Sequence, residues 1–141
     1  MLTAYVDSSY DEKRKVAGLG ILIKDGLKER IYSTYVLAES NNEGELFAIY
    51  LAGILTEQKG VIYTDSQTAI SYIKREIKDK PRDKEQYIRH KRCELMSYKI
   101  RKLGIDIDKI KGHRHVYQSH AMGNNLADML AKAGRAKFYE K

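Results

Sequence analysis

Four acidic residues, Asp7, Glu45, Asp65 and Asp128, stand where a chain can gather carboxylates. Asp7 closes an alternating stretch that begins at Leu2, and Glu45 falls in the first turn of a helix striped with apolar residues. Asp65 follows a short apolar strand, and Asp128 falls in the first turn or two of an Ala/Leu-rich helix. Each has a local explanation. Asp65 can cap a helix starting at Ser66, and Glu45 can complete a capping arrangement with Asn42. Asp128 can favour the positive end of a helix beginning at Asn124, and Asp7 can face water. Taken together they offer different chemistry. If Asp7 and Asp65 end adjacent parallel strands and the first helix crosses that sheet, three carboxylates meet. Such a cluster repels itself and holds protons unless a cation sits within it. Hard oxygen ligands suit Mg²⁺ or Mn²⁺, and a pair of such ions about 3.5–4 Å apart supports phosphodiester cleavage.

The elements that must position these acids can be read from periodicity. Residues 2–7 alternate, and 16–24 and 29–36 are rich in Ile, Leu, Val and Tyr, with Lys24-Asp25-Gly26 as a turn between them. The period then lengthens. Leu46, Ile49, Tyr50, Gly53 and Ile54 mark one face of a helix that Lys59-Gly60 ends. Val61–Thr64 is a short buried strand, and a second helix is expected over 66–77. Residues 78–84 carry the single proline, Pro81, and read as a loop. A long basic helix over 85–103 closes at Gly104, followed by a strand over 105–110, a loop over 111–123 and a last helix over 124–137. Three antiparallel strands followed by alternating strand and helix predict an α/β fold with a five-stranded mixed sheet flanked by helices. Residues 1–141 are expected to form one domain.

Composition narrows the function. The net charge is +7, and residues 74–111 hold 14 Lys and Arg against 7 Asp and Glu, while the rest of the chain holds 12 of each. The whole surplus therefore lies in one segment, which suits a polyanion such as nucleic acid, although a basic solvated helix face would look the same. No apolar run approaches the roughly 20 residues that cross a bilayer. No targeting segment is evident at the N-terminus. Cys93 has no second cysteine to pair with and reads as a packed thiol. A cytoplasmic, monomeric protein with no membrane and no protein partner is the expectation.

Local sequence supplies what the order of acids cannot. Ala4-Tyr5-Val6-Asp7-Ser8-Ser9 resembles the strand of type 1 ribonucleases H that ends in Asp-Gly-Ser, with Ser8 replacing the glycine. Ser40-Asn41-Asn42-Glu43-Gly44-Glu45-Leu46 is similar to the Thr-Asn-Asn-x-x-Glu-Leu opening of that family's first helix. Tyr63-Thr64-Asp65-Ser66-Gln67 matches its Thr-Asp-Ser-Gln, Lys111-Gly112-His113 its Lys-Gly-His, and 124–131 the Asn-x-x-Ala-Asp-x-Leu-Ala of its last helix. Five such segments in the correct order, over nearly the whole chain, point to a ribonuclease H-like fold.

The resemblance implies an endoribonuclease cutting the RNA strand of RNA–DNA hybrids by a two-metal-ion mechanism, leaving 5′-phosphate and 3′-hydroxyl ends. Asp7, Glu45, Asp65 and Asp128 would bind two Mg²⁺ ions, or Mn²⁺, in the presence of substrate. Asp7 would lie between the ions, Glu45 and Asp65 on the leaving-group side, and Asp128 on the side of the attacking water. Asn41, Asn42 and Gln67 would read RNA 2′-hydroxyls, and Ser40 would meet a phosphate of the DNA strand. His113 would assist departure of the product. Fifteen positions separate His113 from Asp128, more than the family pattern, and the intervening stretch also holds His115 and His120. The Trp-rich basic protrusion of some members is missing. Lys78, Lys80, Arg82 and Lys84, with Arg89, Lys91 and Arg92 after them, could provide a smaller grip. The alternatives are another nuclease of this fold, such as a junction resolvase or a transposase core, and a nucleic-acid-binding module without catalysis.

Overall fold

The computed structural model describes residues 2–110 and 118–140. Five strands form one mixed sheet: β1 (Leu2–Asp11), β2 (Val16–Asp25), β3 (Lys28–Leu37), β4 (Val61–Thr64) and β5 (Asp106–Lys109). Their order is β3-β2-β1-β4-β5. β1 is antiparallel to β2 and parallel to β4, which is parallel to β5. The described helices are α1 (Asn41–Leu55), α2 (Gln67–Ile73), α3 (Lys84–Leu103) and α4 (Gln118–Tyr139).

The strand alternation separates two apolar faces. Val6, Leu19, Ile21, Ile23 and Ile62 pack with Leu46 and Ile49 of α1 and with Cys93, Met96 and Ile100 of α3. Tyr5 and Leu22 pack on the other side with Ile110, just after β5, and with Ala127 of α4. The sheet is thus covered on both faces, and β2, lying between them, is buried from Val16 to Ile23. Glycine lets α4 approach: β-carbons on Gly18 and Gly20 would lie 1.9 Å from the Ala131 carbonyl oxygen and 2.1 Å from that of Ala127. No described helix is long and apolar enough to cross a membrane.

The expected fold class is correct, and several boundaries move. β1 continues to Asp11, paired with β2 throughout, so Asp7 is interior to its strand. The polar residues after it hid the continuation. α1 closes at Leu55, before Lys59-Gly60, because Gln58 and Glu57 donate back to the carbonyls of Gly53 and Ile54. α2 stops at Ile73 for the same reason. Arg75 takes a left-handed φ of 60°, and Glu76 and Arg75 donate to the carbonyls of Ser71 and Tyr72, a Schellman ending without glycine. α4 begins at Gln118, inside the expected loop. Gly123, which read as a loop residue, lies within this helix where a β-carbon would meet the Tyr5 ring at 2.6 Å.

Candidate active site

Strand pairing brings the first two acids together. The parallel pairing of β1 with β4 ends at Tyr5↔Tyr63, and Asp7 and Asp65 each stand two residues beyond that pair. α2 leaves Asp65 available, because its N-cap is the next residue: Ser66 Oγ accepts from Ala69 N–H at 3.1 Å. Asp65 is exposed, whereas Asp7 is only 8% exposed.

Glu45 arrives from α1. The cap of this helix is Ser40, whose Oγ accepts from Glu43 N–H, while Glu43 Oε1 accepts from Glu39 N–H at 2.8 Å. The capping role open to Glu45 and Asn42 is therefore filled by Ser40 and Glu43. Glu45 is 6% exposed and turns into the molecule. One ligand oxygen from each of Asp7, Glu45 and Asp65 lies within 4.8 Å of the other two.

Asp128 approaches from the opposite face. Gly20 is the cross-strand partner of Asp7, and α4 rests on it at Ala127, one residue before Asp128. Asp128 lies well past the first turn of α4, so stabilisation by a helix end does not explain it. Its Oδ2 is 3.1 Å from Lys132 Nζ, and it is near enough to Asp7 to raise that residue's pKa.

Electrostatics mark the cluster as short of positive charge. Burial, then repulsion from Asp65, pushes Asp7 up to about 7, with Asp128 adding to the rise and the Ser8 N–H opposing it. Burial, then Asp7 and Asp65, holds Glu45 well above the usual carboxylate range. Glu45 Oε2 is buried, and no hydrogen-bond donor reaches it among the described residues. An unsatisfied buried oxygen among crowded acids fits a hard divalent cation, which would relieve both costs at once.

The other expected residues surround this point. Asn41 and Gln67 are exposed first residues of α1 and α2, with Gln67 Nε2 3.2 Å from Ser71 Oγ. Ser40, Asn42 and Lys80 line one cavity between α1, α2 and α3, together with Tyr72, Arg89 and His90. Arg82 and Lys84 are exposed beside it, at the start of α3. Cys93 is the packed thiol anticipated: it is 1% exposed, and burial raises its pKa to about 11. His113 and His115 lie outside the described residues. His120 sits in the first turn of α4, where Tyr5 Oη is 2.7 Å from its Nδ1 and the Tyr63 ring centroid is 4.4 Å away. Sequence reasoning missed the buried Glu43, for which the Ser-x-x-Glu spacing of Ser40 and Glu43 was the available signal; Arg92, expected in the grip on nucleic acid, instead directs its Nε to Glu43.

The family model for RNase H matches residues 1–136, and the chain belongs to the RNase H family. It is a ribonuclease H, from a family of nucleases that act on RNA–DNA hybrids and normally use divalent metals. Solved structures share the fold. RNase H1 of the halophilic archaeon Halobacterium salinarum NRC-1 superposes with a TM-score of 0.63 at 16% identity, covering 96% of this chain and 98% of that one. The N-terminal RNase H domain of Rv2228c from Mycobacterium tuberculosis, solved as a fusion with maltose-binding protein, gives 0.58 at 15% identity, covering 94% and 96%. No curated protein matches the sequence.

Proposed function

We propose that this chain cuts the RNA strand of RNA–DNA hybrids internally, leaving 5′-phosphate and 3′-hydroxyl ends, with two Mg²⁺ ions held by Asp7, Glu45, Asp65 and Asp128. The observation that carries this reading is the meeting of three carboxylates within 4.8 Å around a Glu45 oxygen that lacks a donor. Mn²⁺ shares the oxygen preference and would substitute. When bound, such ions supply Lewis acidity to the water and to the phosphodiester.

The chain's own groups do the rest. Asp7 would supply oxygens to both ions. Glu45, which is buried, and the exposed Asp65 would serve the leaving-group side, and Asp128 the side of the attacking water. Asn41, Asn42 and Gln67 present amides to the RNA minor groove, where the 2′-hydroxyl distinguishes RNA from DNA. Ser40, Lys80, Arg82 and Lys84 hold the DNA strand by its phosphates. His113 assists release of the product phosphate. The engagement of His120 with Tyr5 and Tyr63 favours this assignment over His120. The reading extends to a single catalytic domain acting as a cytoplasmic monomer, for which light scattering tests the oligomeric part.

The deciding experiment gives the protein a labelled hybrid, duplex DNA, duplex RNA and a DNA junction, each with Mg²⁺ or Mn²⁺, beside Asp65→Asn. Cuts confined to the RNA of the hybrid, bearing 5′-phosphates and absent from the variant, are expected. Junction cleavage with the hybrid left intact would point to a resolvase instead.

A further inference from the structure

The first turn of α1 is tied to α3 by an ion pair outside the acid cluster. Glu43 stands two residues before Glu45 and is 2% exposed. Arg92 Nε donates to both of its carboxylate oxygens, at 2.9 Å each, and Glu43 Oε1 also accepts from Glu39 N–H. Glu43 is thus satisfied from two directions, by the backbone before α1 and by a side chain from another helix. The next residue of α3, Cys93, adds a contact 3.9 Å from the Ser40 Oγ that caps the same turn.

The location of this tie gives it a consequence. That one turn carries Asn41 and Asn42, which face the substrate in the reading above, and Glu45, which faces the metal. Its other side leans on β1 at Gly44 with no spare room. α1 is therefore clamped at its N-terminus between the sheet and α3. Glu45 Oε2 is buried without a hydrogen-bond partner among the described residues, and the Ser8 N–H beside the Glu45 carboxylate belongs to the strand on which this turn leans, so the seating of the turn governs where that oxygen lies. An arginine suits the task better than a lysine, because a planar guanidinium holds a carboxylate in a fixed orientation.

We propose that Arg92, acting through Glu43, is a positioning residue that sets the reach of Glu45 into the metal site and the presentation of Asn41 and Asn42. This rests on the assignment of the acid cluster as the metal site, and it makes a helix distant in sequence part of that site's geometry.

The test measures Mn²⁺ binding by calorimetry without substrate, KM and kcat on a hybrid, and thermal midpoints. The proteins are the parent, Arg92→Gln, Arg92→Lys, Glu43→Gln and the double Gln variant, all held well below their midpoints. Removing a group that orients a ligand characteristically costs 10–100-fold in metal affinity. Arg92→Gln is expected to weaken Mn²⁺ binding about 10-fold and to raise KM, with kcat recovering at high Mn²⁺. Arg92→Lys is expected to fall between it and the parent, and the double variant to bind no worse than either single one, as members of one unit do. A lowered thermal midpoint with unchanged Mn²⁺ affinity and KM would overturn the proposal and leave the pair a purely structural tie. A parent that binds Mn²⁺ yet leaves the hybrid uncut would remove the hydrolytic reading alone, with the positioning role still judged by the calorimetry.

Discussion

Gly44 of α1 lies against Ser8 of β1 so closely that a β-carbon on it would stand 2.5 Å from Ser8 Oγ and 2.7 Å from the Ala17 β-carbon. This contact lets the neighbouring Glu45 reach the strand carrying Asp7. In an open helix Gly44→Ala would gain about 1 kcal/mol of helix propensity. Here, overpacking by about 1–3 kcal/mol opposes that gain. We expect a net loss of up to about 2 kcal/mol in urea unfolding, and weaker hybrid cleavage as Glu45 is displaced. A variant as stable and active as the parent would show that α1 can shift freely.

The raised pKa values of Asp7 and Glu45 set a pH dependence. Both are raised by folding, so the folded protein holds protons that the unfolded chain releases. For Asp7 the resulting stabilisation is complete below about pH 4 and is lost as pH rises towards about 7; Glu45 acts in the same sense. Metal-free protein should therefore be penalised at pH 8. Asp7→Asn should recover a few kcal/mol there, given about 1.4 kcal/mol per pKa unit, and much less at pH 4.5. Mg²⁺ should raise the parent's melting temperature more at pH 8 than at pH 5 and should do little for the variant. Melting curves against pH, with and without Mg²⁺, check both.

Asp65 and Ser66 separate chemistry from capping. Ser66→Ala removes the cap of α2 and should cost about 1 kcal/mol while much of the cleavage survives. Asp65→Asn should abolish cleavage at nearly parental stability, since Asp65 is exposed and does not cap the helix. Paired denaturation and activity assays would show a reversed pattern if Asp65 were structural.

Contacts to the DNA strand should appear in salt dependence. Each phosphate contact adds about 0.9 to the slope of log K against log salt. Replacing Lys80, Arg82 and Lys84 by Gln should flatten that slope in hybrid binding with Ca²⁺ and leave the melting temperature within about 2 °C, because surface changes of this kind cost little. A slope equal to the parent's would remove these residues from the interface.

The histidines can be told apart by what each loss disturbs. His120→Ala breaks the contacts with Tyr5 and Tyr63 and should cost about 1–2 kcal/mol of stability. His113→Ala should leave the melting temperature near the parent's and slow product release, seen as a burst followed by a reduced steady rate. If His120→Ala instead gave the kinetic effect with intact stability, the two assignments would be exchanged.

Much of the architecture was open to local reading, because strand alternation, the apolar stripe of α1 and the Gly104 stop are short-range signals. The departures have different causes. β1 runs past Asp7 in a hairpin whose Asp11 lies opposite Val16, a nearby pairing that the polar residues concealed. Gly123 packs inside α4 against the Tyr5 ring, a partner remote in sequence. α2 ends early at Arg75, a non-glycine residue in the left-handed conformation, which no residue-type rule anticipates.

The four acids were nameable from the sequence alone, since motif spacing places each on its element. Whether they meet was a tertiary matter. The loss of β1–β4 pairing after Tyr5↔Tyr63 leaves Asp7 and Asp65 side by side, Gly44 admits Glu45, and Gly20 lets α4 bring Asp128 towards Asp7. Residue types, the elements carrying them and the excess of basic charge are legible along the chain. Burial and mutual distance come only from packing. Those two quantities raise the carboxylate pKa values and make the cluster receptive to a divalent cation, because desolvation and charge repulsion depend on what surrounds a group, not on its place in the chain.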